Sequence, residues 1–366
     1  MLEKQSMTIK TPGKLMIAGE FAVLQPYHHL AVMAVDRFVY ATIKKSEVNR
    51  LSLTDFQLEN LEFAIENKRV KVATNDSRVQ FVNDAMTIVS TYLQEQEVTL
   101  TPFMLSIKSE LDDESGIKYG LGSSAAVVTS VVNAMLKIFL PEEPSKELIF
   151  KLASISHVIT QGNGSGADIA ASTYGGILYY SSFQADWLRT EYKNAKTVTE
   201  LVEKNWTYFS VKTMEMPKDI YFCVGWTGNA ASTAKLVDKI LRLEENNPEQ
   251  FYRFLEDSKF AVNKFYTGMN ESNLSLVLEG VKENRRALAK VGEHANTPIE
   301  TVQLSNLCNL AEQHGGAGKP SGAGGGDCGI AFMPSKEKAE HVIKAWEKEG
   351  IKPLFIHPYP HGSIDV

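Results

Sequence analysis

The spacing of apolar residues changes several times along this chain, and each change marks an element. Residues 14–20 (KLMIAGE) and 30–36 (LAVMAVD) are short apolar runs. In RFVYATIK, residues 37–44, Phe38, Tyr40 and Thr42 alternate with Val39, Ala41 and Ile43. That period predicts a half-buried antiparallel strand. Residues 49–80 are polar and weakly patterned and read as a peripheral insertion. Helical spacing returns in DAMTIVSTYLQEQ (84–96), followed by a strand in FMLSIKSEL (103–111) and a turn in DDESG (112–116). Val128, Val132, Met135 and Phe139 then fall on one helical stripe, which Pro141 ends. A second amphipathic helix carries Leu148, Leu152, Ile155 and Ile159 and stops at the turn-rich QGNGSGAD (161–168). ILYYSSF (177–183) reads as a strand.

A new pattern begins with the strand-like DIYFCVGWT (219–227), and mostly helical sequence runs from about Ser232 to His314. CGIAFM (328–333) predicts a strand, SKEKAEHVIKAWEKEG (335–350) a helix stopped by Gly350, and KPLFI (352–356) a strand. The order is α+β with antiparallel character, not a regular βαβ alternation. Two domains are expected, 1–195 and 196–366.

Composition narrows the class. The 366 residues are 43% hydrophobic and 22% charged, with a formal net charge of −6. No long run of Lys or Arg occurs, so nucleic acid is not an expected partner. Cys223, Cys308 and Cys328 are scattered and odd in number. They form neither a disulfide framework nor a zinc spacing, and they fit a reducing cytosol. The stretch MLEKQSMTIK lacks the apolar core of a secretory signal, and no run is apolar enough to span a membrane. The expectation is a soluble cytoplasmic protein, monomeric or a weak homodimer.

Candidate chemistry sits in three glycine-rich stretches. In GLGSSAA, Gly120, Leu121, Gly122, Ser123, Ser124 and Ala125 lead straight into a helix without a bulky polar side chain. A helix N-terminus has unpaired N–H groups and the positive end of the dipole, which suits an anion. The simpler alternative is one N-cap serine after a tight turn. A P-loop is excluded because no lysine precedes Ser123 or Ser124, and a dinucleotide fingerprint because Ala125 replaces the third glycine. KPSGAGGGDCGIAF places Gly322, Gly324, Gly325 and Gly326 between a helix and a buried strand, a loop that is flexible or lets a ligand approach closely. In TPGKLMIAGEFAVL, Lys14 enters a strand, either as a solvated start or as a charge aimed inward at an anion.

Taken in order, PGKLMIAGEFAVL, GLGSSAA and SGAGGGDCG resemble the three motifs of the GHMP kinase superfamily, which includes galactokinase, homoserine kinase and mevalonate kinase. GSGADIA and VGWTGNAAST extend the likeness along nearly the whole chain. The resemblance implies an N-terminal domain like the second domain of ribosomal protein S5 and a ferredoxin-like C-terminal domain with extra helices. It also implies transfer of the ATP γ-phosphoryl group, with Mg²⁺, to (R)-5-phosphomevalonate.

By the same resemblance, Gly120 to Ala125 wrap the ATP phosphates and Ser124 ligates the metal. Lys14 and Asp168, the acid of GSGADIA, form the catalytic pair. Ser165, Ser232, Ser321, Gly322 and Ala323 line the acceptor site. Lys118, just before the phosphate loop, is our choice for the acceptor's 5-phosphate, because that anion needs a cation. One departure stands out. Mevalonate kinases supply a glutamate before the Asp-bearing loop, whereas LASISHVITQ holds no acid, and His157 there reads as a packed or capped histidine. The alternatives are mevalonate kinase or another small-alcohol kinase of the superfamily, and an inactive nucleotide-binding regulatory module. The presence of Lys14, Ser124 and Asp168 argues against the last.

Overall fold

The computed structural model describes residues 5–113, 116–229 and 233–366. The first sheet is built on a long hairpin, β1 (Ser6–Ala18) and β2 (His29–Lys45), paired antiparallel along most of its length. Next come β3 (Arg50–Leu53), β4 (Leu58–Glu66), β5 (Arg69–Val72), β6 (Phe103–Ser109), β7 (Ile177–Ser181) and β8 (Ser210–Met214). The second sheet holds β9 (Tyr221–Trp226), β10 (Ala317–Pro320), β11 (Cys328–Met333) and β12 (Lys352–Leu354), in the order β10-β11-β9-β12. The last strand, β13 (Ile364–Asp365), returns to β1, so the chain closes on the first sheet.

Residues 49–80 are not a peripheral insertion. They supply β3, β4 and β5, and β3 pairs with β6 in parallel, extending the sheet to β13-β1-β2-β6-β3-β4-β5. Their weak patterning comes largely from β4, along which only Phe63 is buried. β8 is paired to β7 in the first sheet, and the second sheet starts at Tyr221. We therefore place the division between the two units between Met214 and Tyr221 in preference to 195/196.

Three helices lie against the first sheet, α1 (Gln80–Glu95), α2 (Ser123–Phe139) and α4 (Ala167–Tyr174), and α3 (Lys146–Gln161) packs on all three of them. The apolar stripe expected on α2 understates its burial. Thr129, Ser130, Val131, Asn133 and Ala134 are buried too, and Phe139 only partly. The helix packs on β1 and β2 on one side and on α1, α3 and α4 on the others, so it has no solvent face for most of its length. On α3 the buried face is Ile149, Phe150, Leu152, Ala153, Ile155 and Val158, while Ile159 is exposed. Ser145 caps its start and left-handed Gly162 its end. The strand β10 was not legible, because AGKP is too short and polar to read as one. Among the described residues no helix is long and apolar enough to cross a membrane.

Candidate active site

Where Gly122 ends the loop and α2 begins, the backbone is left-handed, at φ 79° and ψ 41°, and no side chain caps the helix. The capping serine considered from sequence is therefore absent. Gly122 is the N-cap, and Ser123 and Ser124 form the first turn. α4 starts the same way, from left-handed Gly166, again without a side-chain cap. The first turns of α2 and α4 both open on one cavity of about 840 Å³. The start of α2 offers it free amides and the positive end of a dipole, whereas in α4 Ala167 N donates to Ser165 Oγ at 3.3 Å and Ile169 N to Asp168 Oδ1 at 3.0 Å.

Lys14 sits in β1, buried, and its Nζ donates to the carbonyl of Gly120 at 2.8 Å. Its backbone N–H donates to Leu121 O at 2.8 Å, so β1 and the phosphate loop are joined twice at this residue. The inward reading of Lys14 is the one the fold realises. A Cβ placed on Gly122 would lie 3.0 Å from Lys14 Cγ, 3.1 Å from Cε and 3.5 Å from Asp168 Cβ. Lys14 and Asp168 thus flank Gly122, and there is room between them only because that residue is glycine. Gly122→Ala should force the lysine stem aside and strain a left-handed position by about 1–2 kcal/mol. We expect the fold to survive and kcat to drop on the order of 10²-fold, since displacement of about 1 Å can cost that much. A parental kcat would remove Gly122 from the argument.

The glycine loop at 322–326 joins β10 to β11, not a helix to a strand. Gly322, Gly324, Gly325 and Gly326 all have φ between 77° and 154°, which explains why four glycines are needed. The loop is anchored, not loose. Gly325 N donates to Ile299 O at 2.8 Å, and a Cβ on Gly324 would lie 2.4 Å from that oxygen. Ser321 lines the cavity, yet its hydroxyl accepts from Met16 N at 2.9 Å and donates to Met16 O at 3.0 Å, tying the loop to β1. Ser165 lines the cavity too, and Tyr180 Oη donates to its carbonyl at 2.6 Å. Lys118, Gly322 and Ala323 also line the cavity, and Ser232 lies outside the described residues.

Among the residues lining the cavity, Glu20, Asp327 and Asp112 were not singled out from sequence, and His157 was read only as packed or capped. Glu20, at the end of MIAGE, is buried and paired with the fully buried Lys319; its Oε1 also accepts from Gly322 N at 3.2 Å. Asp327 follows the glycine run and packs on the first glycine of the phosphate loop, since a Cβ on Gly120 would lie 2.7 Å from its Oδ2. Asp112 faces Lys118 across a backbone bridge, and burial raises its carboxyl above the usual range while Lys118 opposes this. His157 is buried on α3, and its Nε2 lies 3.1 Å from Ser124 Oγ. Burial pushes this imidazole below its ordinary value, and the charge of Asp168 works the other way. For Asp327 the signal was its place directly after the glycine run; for Glu20 the partner that explains it, Lys319, lies 299 residues away.

The donors suit a magnesium ion. The hydroxyl of Ser124 and the carboxylate of Asp168 both open on the cavity from helix first turns. Among the described residues no three His, Cys, Asp or Glu converge on a metal position. Phosphate oxygens and water would have to complete the shell, the usual habit of Mg²⁺.

Two family models match: the GHMP kinases N-terminal domain over residues 81–176 and the GHMP kinases C-terminal domain over residues 267–352. The chain is 32% identical to a phosphomevalonate kinase of a Streptomyces species over 96% of both chains. It superposes on a crystal structure of a Listeria innocua protein with TM-score 0.93 and 37% identity, covering 99% of each. A Streptococcus pneumoniae phosphomevalonate kinase solved with phosphomevalonate and AMPPNP gives TM-score 0.83 at 26% identity, over 96% of this chain and 99% of that one. With these likenesses spanning both sheets and all three glycine-rich stretches, the chain belongs to the GHMP kinase family.

Proposed function

We propose that this chain transfers the γ-phosphoryl group of ATP to (R)-5-phosphomevalonate, giving (R)-5-diphosphomevalonate and ADP. The observation that carries the reading is the convergence on one cavity of the uncapped α2 N-terminus, Lys14 and Asp168, with Lys118 also in its lining. The Streptomyces and S. pneumoniae relatives support phosphomevalonate as the acceptor.

Phosphoryl transfer asks a protein mainly for alignment and charge neutralisation. The amides of Ser123, Ser124 and Ala125 would grip the triphosphate, and Lys14 would meet charge developing on the transferred group. Ser124 and Asp168 would hold a Mg²⁺ ion, which would supply neutralisation of phosphate charge. Lys118 is assigned to the acceptor's 5-phosphate, with Ser165, Ser321, Gly322 and Ala323 around the rest of it. An acceptor phosphate oxygen attacks the γ-phosphorus while the bond to ADP breaks. The reaction belongs in the cytoplasm, consistent with three buried free thiols.

The acceptor limits what Asp168 has to do. A phosphate monoester has its second pKa near about 6, so it is mostly dianionic at neutral pH and already a nucleophile. We assign Asp168 to holding Lys14 and the acceptor in place; it removes a proton only from the monoanion. Asp168→Asn should therefore lose less activity at pH 8 than at pH 5.5. An equal or greater loss at pH 8 would make Asp168 an obligatory base. The acceptor itself is tested by coupled ADP release with phosphomevalonate, mevalonate, homoserine and galactose. Phosphomevalonate should be by far the best substrate, and faster turnover of mevalonate would overturn the assignment.

A further inference from the structure

Ser124 does not stand alone at the mouth of α2. Its Oγ lies 3.1 Å from Nε2 of His157, which reaches it from α3 and is 3% exposed. The ring of Phe81 on α1 packs beside the imidazole, centroids 5.3 Å apart, and the imidazole feels the charge of Asp168 on α4. The ring therefore reports on three elements around the phosphate loop and touches the one hydroxyl assigned to the metal.

We propose that His157 is a positioning residue: Nε2 accepts the Ser124 hydroxyl proton, which turns the lone pairs of Oγ toward the cavity and fits that oxygen for a divalent cation. Without an acceptor, the Ser124 hydroxyl would rotate freely or donate to the nearest phosphate. Either outcome removes a lone pair from the metal's reach. Groups behind a metal ligand tune it in this way, and their loss commonly costs 10–100-fold in metal affinity. The inference rests on the assignment of Ser124 to the metal.

The test measures binding of Mn²⁺ to the enzyme–ADP complex by electron paramagnetic resonance, with melting temperature recorded for every variant. His157→Leu fills the slot without an acceptor and should weaken Mn²⁺ binding about tenfold or more. His157→Gln places its amide oxygen near the position of Nε2 and should bind within about threefold of the parent. His157→Asn, which imitates only the Nδ1 end, should resemble the leucine variant; it also serves if leucine impairs folding. Parental Mn²⁺ affinity in folded His157→Leu, or equal losses with Gln and Leu, would overturn the proposal. Ser124→Ala separates the two layers. If it leaves Mn²⁺ affinity unchanged, the metal assignment fails. If it weakens binding while the His157 variants do not, only the role of His157 fails. Adding His157→Leu to Ser124→Ala should cost nothing further.

Discussion

Lys14→Met should reduce kcat by about 10²–10³-fold, the usual loss when one preorganised charge at a transition state is removed. Methionine keeps an unbranched stem, so the packing of Lys14 over Gly122 is preserved and only the charged tip is lost. Lys14 donates to the loop carbonyl of Gly120, whereas the groups assigned to the triphosphate are the amides of α2. A non-hydrolysable ATP analogue should thus still bind within a few-fold of the parent, measured by calorimetry. Normal turnover would mean that Lys14 is a structural tie between β1 and the loop. Loss of nucleotide binding together with turnover would make it part of the ATP grip.

Lys319→Met should be the most destabilising single change at the site. Lys319 has no solvent exposure and its partner Glu20 is 4% exposed. The ammonium also donates to the carbonyl of Pro320, and Glu20 also receives Gly322 N. With its side-chain amide oriented to suit its neighbours, Asn284 donates to Glu20 Oε2 at 3.1 Å and accepts from Gly19 N at 3.2 Å. This network pins the end of the first motif to the start of the third. Removing one member of a buried pair leaves the other charged and unpaired, at a cost of about 3–5 kcal/mol. A drop in melting temperature on the order of 10 °C follows. Replacing both charges by methionine should recover part of that stability, because the orphan carboxylate is gone. It should not recover activity, since the Gly322 loop loses its anchor. A single variant melting with the parent would show that Glu20 finds another partner.

The residues that carry the site were legible in proportion to how local their signal is. The glycine-serine run before α2 offered an anion site or a capping serine from sequence alone, whereas Asp168 entered only through the family resemblance. Lys14 was ambiguous in sequence because its direction depends on which face of β1 the loop at Leu121 covers. His157 was read as packed or capped. It is packed, but its link to Ser124 joins residues 33 apart that only the α2–α3 contact brings together. The Glu20–Lys319 pair spans 299 residues and left no local trace. β4 was missed because only Phe63 along it is buried, and β3 and β5, which do alternate, because four residues each are too few to show the period. The path of residues 357–366 was hidden for a different reason. Tyr359 pairs with Ala34 and Gly176 through the backbone, and Gly362 packs against Thr173, contacts that depend on main chain and absence of side chain.

Everything in this account depends on where the nucleotide's phosphates lie. A crystal structure of the protein with a non-hydrolysable ATP analogue and phosphomevalonate measures that directly. The account predicts phosphate oxygens within hydrogen-bond reach of the Ser123, Ser124 and Ala125 amides, with Lys14 and Asp168 on either side of the terminal phosphorus. Phosphates seated away from the start of α2, or a terminal phosphorus remote from those two side chains, would contradict it.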